Sequence, residues 1–99
     1  MSDKRPGLVE LDAFEAVFGA LSNRSRRTIL SVLQARGGEM TSGAIAARFD
    51  CSWPTTTQHL RVLEEAGLVS IRLQGRQRVY RLEVDRLRSV VRSWLDSFS

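Results

Sequence analysis

Ninety-nine residues, 42% of them hydrophobic and 26% charged, have the make-up of one small globular domain rather than a disordered chain, a collagen-like repeat or a coiled-coil rod. No run of about 18 apolar residues is present, so no helix is expected to span a membrane. Fifteen basic residues against eleven acidic ones give a net charge of +4, and all the basic residues but Lys4 are arginine, the side chain suited to phosphates and guanine edges.

Residues 1–7, with Pro6-Gly7, read as a loose tail of a single domain spanning 1–99. From Leu11, the apolar residues Leu11, Phe14, Phe18 and Leu21 recur with a helical period, and Asp12 and Glu15 sit where the helix dipole favours acids. Ser22 or Asn23 can cap a second helix carrying Arg26, Ile29, Leu30 and Leu33, which ends at Gly37-Gly38. Thr41 or Ser42 opens a short third helix with Ile45 and Phe49 turned inward. Ser52 caps a fourth helix, about 53–66, with Pro54 in its first turn and Thr56, Leu60, Leu63 and Ala66 on its inner stripe.

Two strands, 68–73 and 78–82, flank Gln74-Gly75-Arg76-Gln77 and form a hairpin in which glycine supplies the turn. The last helix, 86–98, repeats Leu87, Val90, Val91, Trp94, Leu95 and Phe98 at helical spacing. Its apolar stripe runs to the end of the chain, so part of it is expected to meet another subunit. The expected fold is mainly α with a small β-hairpin, in the order α-α-α-α-β-β-α.

Charge is unevenly spread. Residues 1–21 carry a net −2, residues 22–36 a net +4 and residues 71–88 a net +4. Two arginine-rich blocks on one short chain suggest a polyanionic partner. The opening residues lack an apolar core followed by a small-residue cleavage site, so no secretory signal is expected and the cytoplasm is the expected compartment. The lone cysteine, Cys51, has no internal disulfide partner.

The third and fourth helices, 42–49 and 53–66, are joined by three residues and form a helix-turn-helix. In such a unit the second helix lies in the DNA major groove with its N-terminal residues at base edges. Ser52, Trp53, Thr55, Thr57, Gln58 and Arg61 are the candidate contacts: Gln bonds an adenine edge bidentately, and Thr meets a thymine methyl or a phosphate. The hairpin tip adds Arg76, Gln77 and Arg78, which can follow the phosphate backbone or enter a minor groove.

The block Ser52-Trp53-Pro54-Thr55-Thr56-Thr57-Gln58-His59-Leu60-Arg61-Val62-Leu63-Glu64-Glu65-Ala66-Gly67-Leu68-Val69 resembles the recognition-helix region of the ArsR-type winged helix-turn-helix repressors. The stretch Leu21-Ser22-Asn23-Arg24-Ser25-Arg26-Arg27-Thr28-Ile29-Leu30 is similar to that family's second-helix opening, and Gly75-Arg76-Gln77-Arg78-Val79-Tyr80-Arg81-Leu82 to its wing. The resemblance covers most of residues 14–82. It implies a homodimeric repressor joined through its first and last helices. In this chain these offer Leu11, Phe14, Phe18, Leu87, Val90, Val91, Trp94, Leu95 and Phe98. The two recognition helices would then enter successive major grooves of a near-palindromic operator, with Thr57 and Gln58 at the family's central base-contacting pair. The regulated genes would be its own or a neighbouring operon.

Metal sensors of that family need clustered Cys, His and Asp ligands. This chain has one Cys and one His, so neither a metal nor another cofactor is expected. His59 is better suited to a structural hydrogen bond or a phosphate contact than to a metal bond. No phosphate loop or nucleophile–base pattern marks an enzyme, and the neighbouring Glu64 and Glu65 point apart on a helix. Two other readings stand beside the repressor. One is a thiol-responsive regulator acting through Cys51, at the start of the recognition helix. The other is a winged helix used for protein contact. The effector, if there is one, is not legible.

Overall fold

The computed structural model describes residues 8–50 and 52–98. The expected loose tail and Cys51 lie outside them. The elements are α1 (Leu8–Leu21), α2 (Arg24–Ala35), β1 (Glu39–Thr41), α3 (Ser42–Ala46), α4 (Trp53–Glu65), β2 (Val69–Gln74), β3 (Gln77–Leu82) and α5 (Val84–Asp96). The order is therefore α-α-β-α-α-β-β-α, and the small sheet has three antiparallel strands, β1-β3-β2, rather than the two of a hairpin.

The extra strand corrects the expected order. Glu39-Met40-Thr41 is too short to show a period of its own. Met40 is buried opposite Tyr80, and Thr41 leaves the strand to cap α3 by accepting from the Ala44 amide. Helix α3 is shorter than expected. It stops at Ala46, so Phe49 packs on the core from the connecting segment. The hairpin is tighter than expected too. Gln74 pairs with Gln77, leaving only Gly75-Arg76 as the loop, and the positive φ of Gly75 (65°) fits a turn of type II′.

Asn23 caps α2 as expected, by accepting from the Arg26 amide. Gly67 ends α4 with φ 76°, and the amides of Gly67 and Leu68 close onto the carbonyls of Glu64 and Leu63, both at 2.9 Å. This left-handed stop turns the chain directly from helix into strand. Two further backbone bonds lock the sheet to the helices: the Leu82 amide donates to the Gly38 carbonyl at 2.7 Å, and the Glu83 amide to the Leu68 carbonyl at 2.9 Å.

One core joins the elements. It includes Val17 and Ala20 of α1, Ile29 and Leu33 of α2, Ile45, Leu60 and Leu63 of the helix-turn-helix, and Tyr80 and Leu82 of β3. The sheet alternates only where it lies on this core. Val69 is buried and Ile71 half-buried, but Leu73, two residues further toward the turn, is 72% exposed. The end of the hairpin projects beyond the body of the domain. Val79 and Tyr80 are both buried although adjacent, because β3 is the middle strand and Val79 sits on the opposite face, flanked by Thr41 and Arg72.

The last helix corrects one expected interface residue. Val90 is only 5% exposed and fills the chain's own core, so it is not free to meet a second subunit. Phe14 and Leu87 are half-buried against the same core. Leu11, Trp94, Leu95 and Phe98 remain exposed. Phe18, Trp94 and Phe98 form a chain of edge-to-face rings, with centroids 5.1 Å and 5.0 Å apart.

Burial predicts a sharp contrast between two leucines. Leu63 is fully buried and Leu73 is not. In urea unfolding at fixed protein concentration, Leu63→Ala is expected to cost about 3 kcal/mol through lost transfer energy and a cavity. Leu73→Ala is expected to stay within about 0.5 kcal/mol of the parent.

Candidate nucleic-acid interface

Helix α4 starts at a well-made cap. The Ser52 hydroxyl oxygen accepts from the Thr55 amide at 3.4 Å, and the hydroxyl donates to Thr55 Oγ1 at 3.0 Å. Pro54 fits in the first turn because its missing N–H would have no helical partner there. The inner side of α4 is Thr56, Leu60 and Leu63, all buried. Thr56 keeps its hydroxyl satisfied by donating to the Ser52 carbonyl at 3.2 Å.

With those residues inward, the helical period turns Thr55, Gln58 and Arg61 outward along one line, and all three are exposed. Ser52 is exposed beside them, and Trp53 is exposed at the helix start. Thr57 departs from the expectation. It is half-buried, and its hydroxyl oxygen is turned in with no hydrogen-bond partner. What it leaves to solvent is carbon, suited to a thymine methyl rather than to a hydrogen bond.

Arg76, Gln77 and Arg78 are exposed at the projecting end of the hairpin. Arg78 pairs across the ladder with the exposed Leu73. Further back, Arg72 is tied to Glu39 in an ion pair, and Arg81 lies 3.7 Å from Glu83, which also accepts from Ser70 at 3.0 Å. The wing's arginines thus fall into two sets. Those near the body are paired with carboxylates of the chain. Arg76 and Arg78 at the tip have no described carboxylate beside them.

Helix α4 is fastened to the rest of the domain by Arg26. Its Nε donates to the Ala20 carbonyl at 2.8 Å and its Nη2 to the Gly19 carbonyl at 3.2 Å, at the C-terminal end of α1. Its Nη1 lies 3.3 Å from His59 Nδ1 on α4. A guanidinium only donates, so in this contact Nδ1 is the acceptor. This role was not legible from the sequence. Its only trace is an arginine at a position of the α2 pattern that otherwise carries Ile29, Leu30 and Leu33. Among the described residues no cluster of three His, Cys, Asp or Glu side chains is placed to hold a metal ion.

Comparison with known proteins agrees with this architecture. A family model described as a helix-turn-helix domain matches residues 21–72, about half of the chain. The transcriptional repressor SdpR of Bacillus subtilis is 37% identical over 82 residues, covering 83% of this chain and 88% of SdpR. An ArsR-like transcriptional regulator from Rhodococcus sp. RHA1 superposes with a TM-score of 0.78 at 27% identity, covering 90% of this chain and 82% of that one. The chain belongs to the ArsR family of winged helix-turn-helix regulators. A possible transcriptional regulatory protein from Mycobacterium bovis, a fragment of residues 1–100, also shares the fold. Its TM-score is 0.73 at 29% identity, covering 96% of this chain and all of that one. As a member of the ArsR family, the chain is a DNA-binding transcriptional regulator and not an enzyme. In family terms α3 and α4 are the helix-turn-helix, and β2 and β3 the wing.

Arg26→Ala removes three contacts of a charged donor and is expected to lower stability by about 2 kcal/mol. A double-mutant cycle with His59→Ala, followed by urea unfolding, is expected to show a coupling of about 0.5–1 kcal/mol. Strict additivity would mean that the Arg26–His59 contact carries no energy.

Proposed function

We propose that this regulator is a homodimeric, sequence-specific repressor. It sets α4 in the major groove and the tip of the wing on the phosphate backbone or in the adjacent minor groove. The observation that carries this reading is the exposed line Thr55, Gln58 and Arg61 on α4, next to a projecting hairpin end with Arg76 and Arg78. Gln58 is the base reader, bidentate to an adenine, with Arg61 beside it. Ser52 and Trp53 sit at the helix N-terminus, where the dipole favours a phosphate. Thr57 supplies an apolar contact. Arg76, Gln77 and Arg78 position the wing.

Dimerisation is assigned to the exposed apolar end formed by Leu11, Trp94, Leu95 and Phe98, with Phe18 stacked beneath. A homodimer reading successive major grooves needs its two α4 helices about 34 Å apart, one turn of the duplex, and so calls for a near-palindromic operator. Control of its own or a neighbouring operon, in the cytoplasm, is the simplest use of such a dimer. The repressor name of SdpR supports the sign of the effect.

The test is fluorescence anisotropy on DNA from immediately upstream of the chain's own gene, with unrelated DNA in excess. Saturable binding at two chains per site is expected, and binding no tighter than to unrelated DNA overturns the reading for that operator. Gln58→Ala is expected to lose about 1–3 kcal/mol of discrimination while general binding remains. Arg76→Ala and Arg78→Ala are expected to weaken all sequences alike, and each to reduce the slope of log K against log salt by about 0.9.

The dimer is checked separately. Trp94→Asp and Phe98→Asp each bury a charge in the assigned interface. They are expected to give monomer by sedimentation equilibrium at concentrations where the parent is dimeric.

A further inference from the structure

Among the described residues the exposed large apolar side chains are Leu11, Trp53, Leu73, Trp94, Leu95 and Phe98. Leu11, Trp94, Leu95 and Phe98 make the apolar end assigned above to the dimer, and Trp53 opens α4. Leu73 belongs to neither place, and at 72% it is the most exposed of the set. A single surface leucine is ordinary, but this one has a particular position.

Leu73 stands two residues before Gly75 of the turn, about 7 Å back from it along β2. Gln74, Gly75, Arg76, Gln77 and Arg78 are exposed as well, so this is the part of the hairpin that has left the core. Arg78 pairs directly opposite Leu73 and does not cover it. Pairing and alternation put Val69, Ile71 and Leu73 on one face with Leu82, Tyr80 and Arg78. Lower on that face, Val69, Ile71, Tyr80 and Leu82 pack in the core that also holds Leu60 and Leu63 of α4. Leu73 and Arg78 thus continue the α4 side of the hairpin into solvent. Arg72 and Gln74 belong to the other face.

An arginine beside an exposed leucine on a projecting hairpin fits a surface that is anionic at its edges and apolar within. A DNA minor groove has that make-up, with phosphates along its rims and deoxyribose on its walls. Proteins that enter it commonly set leucine or another apolar side chain there. A row of phosphates alone would offer Leu73 no partner.

We propose that Leu73 is a DNA contact of the wing. Its side chain packs on the deoxyribose wall of the minor groove next to the major groove read by α4, while Arg76 and Arg78 meet the flanking phosphates. This rests on the major-groove placement of α4 under the proposed function, and it favours the minor groove over the backbone alone for the wing. A contact of carbon with sugar releases no counterion and reads no base. Leu73 therefore adds affinity without salt dependence, unlike Arg76 and Arg78, and without sequence preference, unlike Gln58.

The experiment is fluorescence anisotropy across a salt series, on the upstream DNA named above and on unrelated DNA. It compares the parent with Leu73→Ala, Leu73→Met and Arg76→Ala. Leu73→Ala is expected to bind both DNAs about five- to tenfold more weakly, with the slope of log K against log salt unchanged. Leu73→Met, which keeps the apolar volume, is expected to stay within about twofold of the parent. Arg76→Ala is expected to flatten the slope by about 0.9. Hydroxyl-radical footprinting reads deoxyribose exposure directly. A protected patch beside the α4 site is expected, and Leu73→Ala is expected to open it. Urea unfolding should be the same for the parent and Leu73→Ala, so that a loss of affinity reports a contact and not the fold.

Three results overturn the proposal and leave the repressor reading standing, because Gln58→Ala and Arg76→Ala test that reading separately. They are parental affinity of Leu73→Ala, a loss of affinity that comes with a flatter salt slope, and unchanged deoxyribose protection. Dissociation of Leu73→Ala to monomer in sedimentation equilibrium would assign the leucine to a protein contact and overturn the proposal equally. If the parent binds neither DNA, the repressor reading falls and this inference falls with it.

Discussion

The guanidinium of Arg26 stands where three helices meet, and the placement of α4 depends on it. The last carbonyls of α1 have no partner within their own helix, and they carry the negative end of its dipole. Arg26, rooted in α2, satisfies two of them at Gly19 and Ala20 and then reaches His59 on α4. A hydrocarbon at this position would take the Arg26 donor from the Ala20 carbonyl and leave Gly19 with its Ser22 bonds alone, and would remove the polar tie between α4 and the frame. The contact is directional, so it restrains the rotation of α4 about its own axis as well as its distance from α1. Burial of Leu60 and Leu63 supplies the complementary, non-directional part. Between them, the two constraints decide which residues of α4 face out. The outward line Thr55, Gln58 and Arg61 then follows from a period of 3.6.

The wing obeys a similar logic. Its base is held by three devices: the Gly67 stop that turns α4 into β2, the backbone bonds from Leu82 and Glu83, and the pairing of β1 with β3. The paired carboxylates Glu39 and Glu83 occupy Arg72 and Arg81 in the same region. Beyond that base the strands leave the core, and Leu73 passes into solvent although it belongs to the same alternating face as Val69 and Ile71. A hairpin built this way is rigid where it joins the body and free where it would meet a duplex.

Much of this was legible in the sequence, for stated reasons. Long amphipathic patterns and capping chemistry located α1, α2, α4 and α5 and the glycine stops after α2 and α4. Ser52 was readable as a cap, and Asn23 and Thr41 as one of two adjacent candidates each, beside Ser22 and Ser42, because short polar side chains before an apolar repeat have few other uses. The strand β1 was not legible. Three residues hold too little alternation to separate a strand from a loop, and Glu39-Met40-Thr41 pairs only with a strand some forty residues later. Val90 looked like every other member of the α5 stripe, since a one-dimensional pattern cannot divide an apolar stripe between the chain's own core and an outside surface. Thr57 was legible as an outer residue of α4. The rotamer that hides its hydroxyl is a three-dimensional property. Arg26 was hidden for the opposite reason. Its charge drew attention to a polyanion, while its actual partners are carbonyls and an imidazole within the domain.

Arginine count alone is therefore a blunt guide to function in a chain where fourteen of the fifteen basic residues are arginine. The neighbours of each guanidinium sort them. Where it meets a backbone carbonyl or a carboxylate of the chain, as at Arg26, Arg72 and Arg81, its charge is spent on holding helices or strands together. At Arg76 and Arg78 it stands at a projecting tip without a described carboxylate, and its field is available to an external polyanion. Arg88 and Arg92 border the apolar residues Leu30, Val91 and Leu95 instead. The same side chain thus holds elements together at Arg26, Arg72 and Arg81 and stands at a projecting tip at Arg76 and Arg78. The surroundings, not the residue type, decide which.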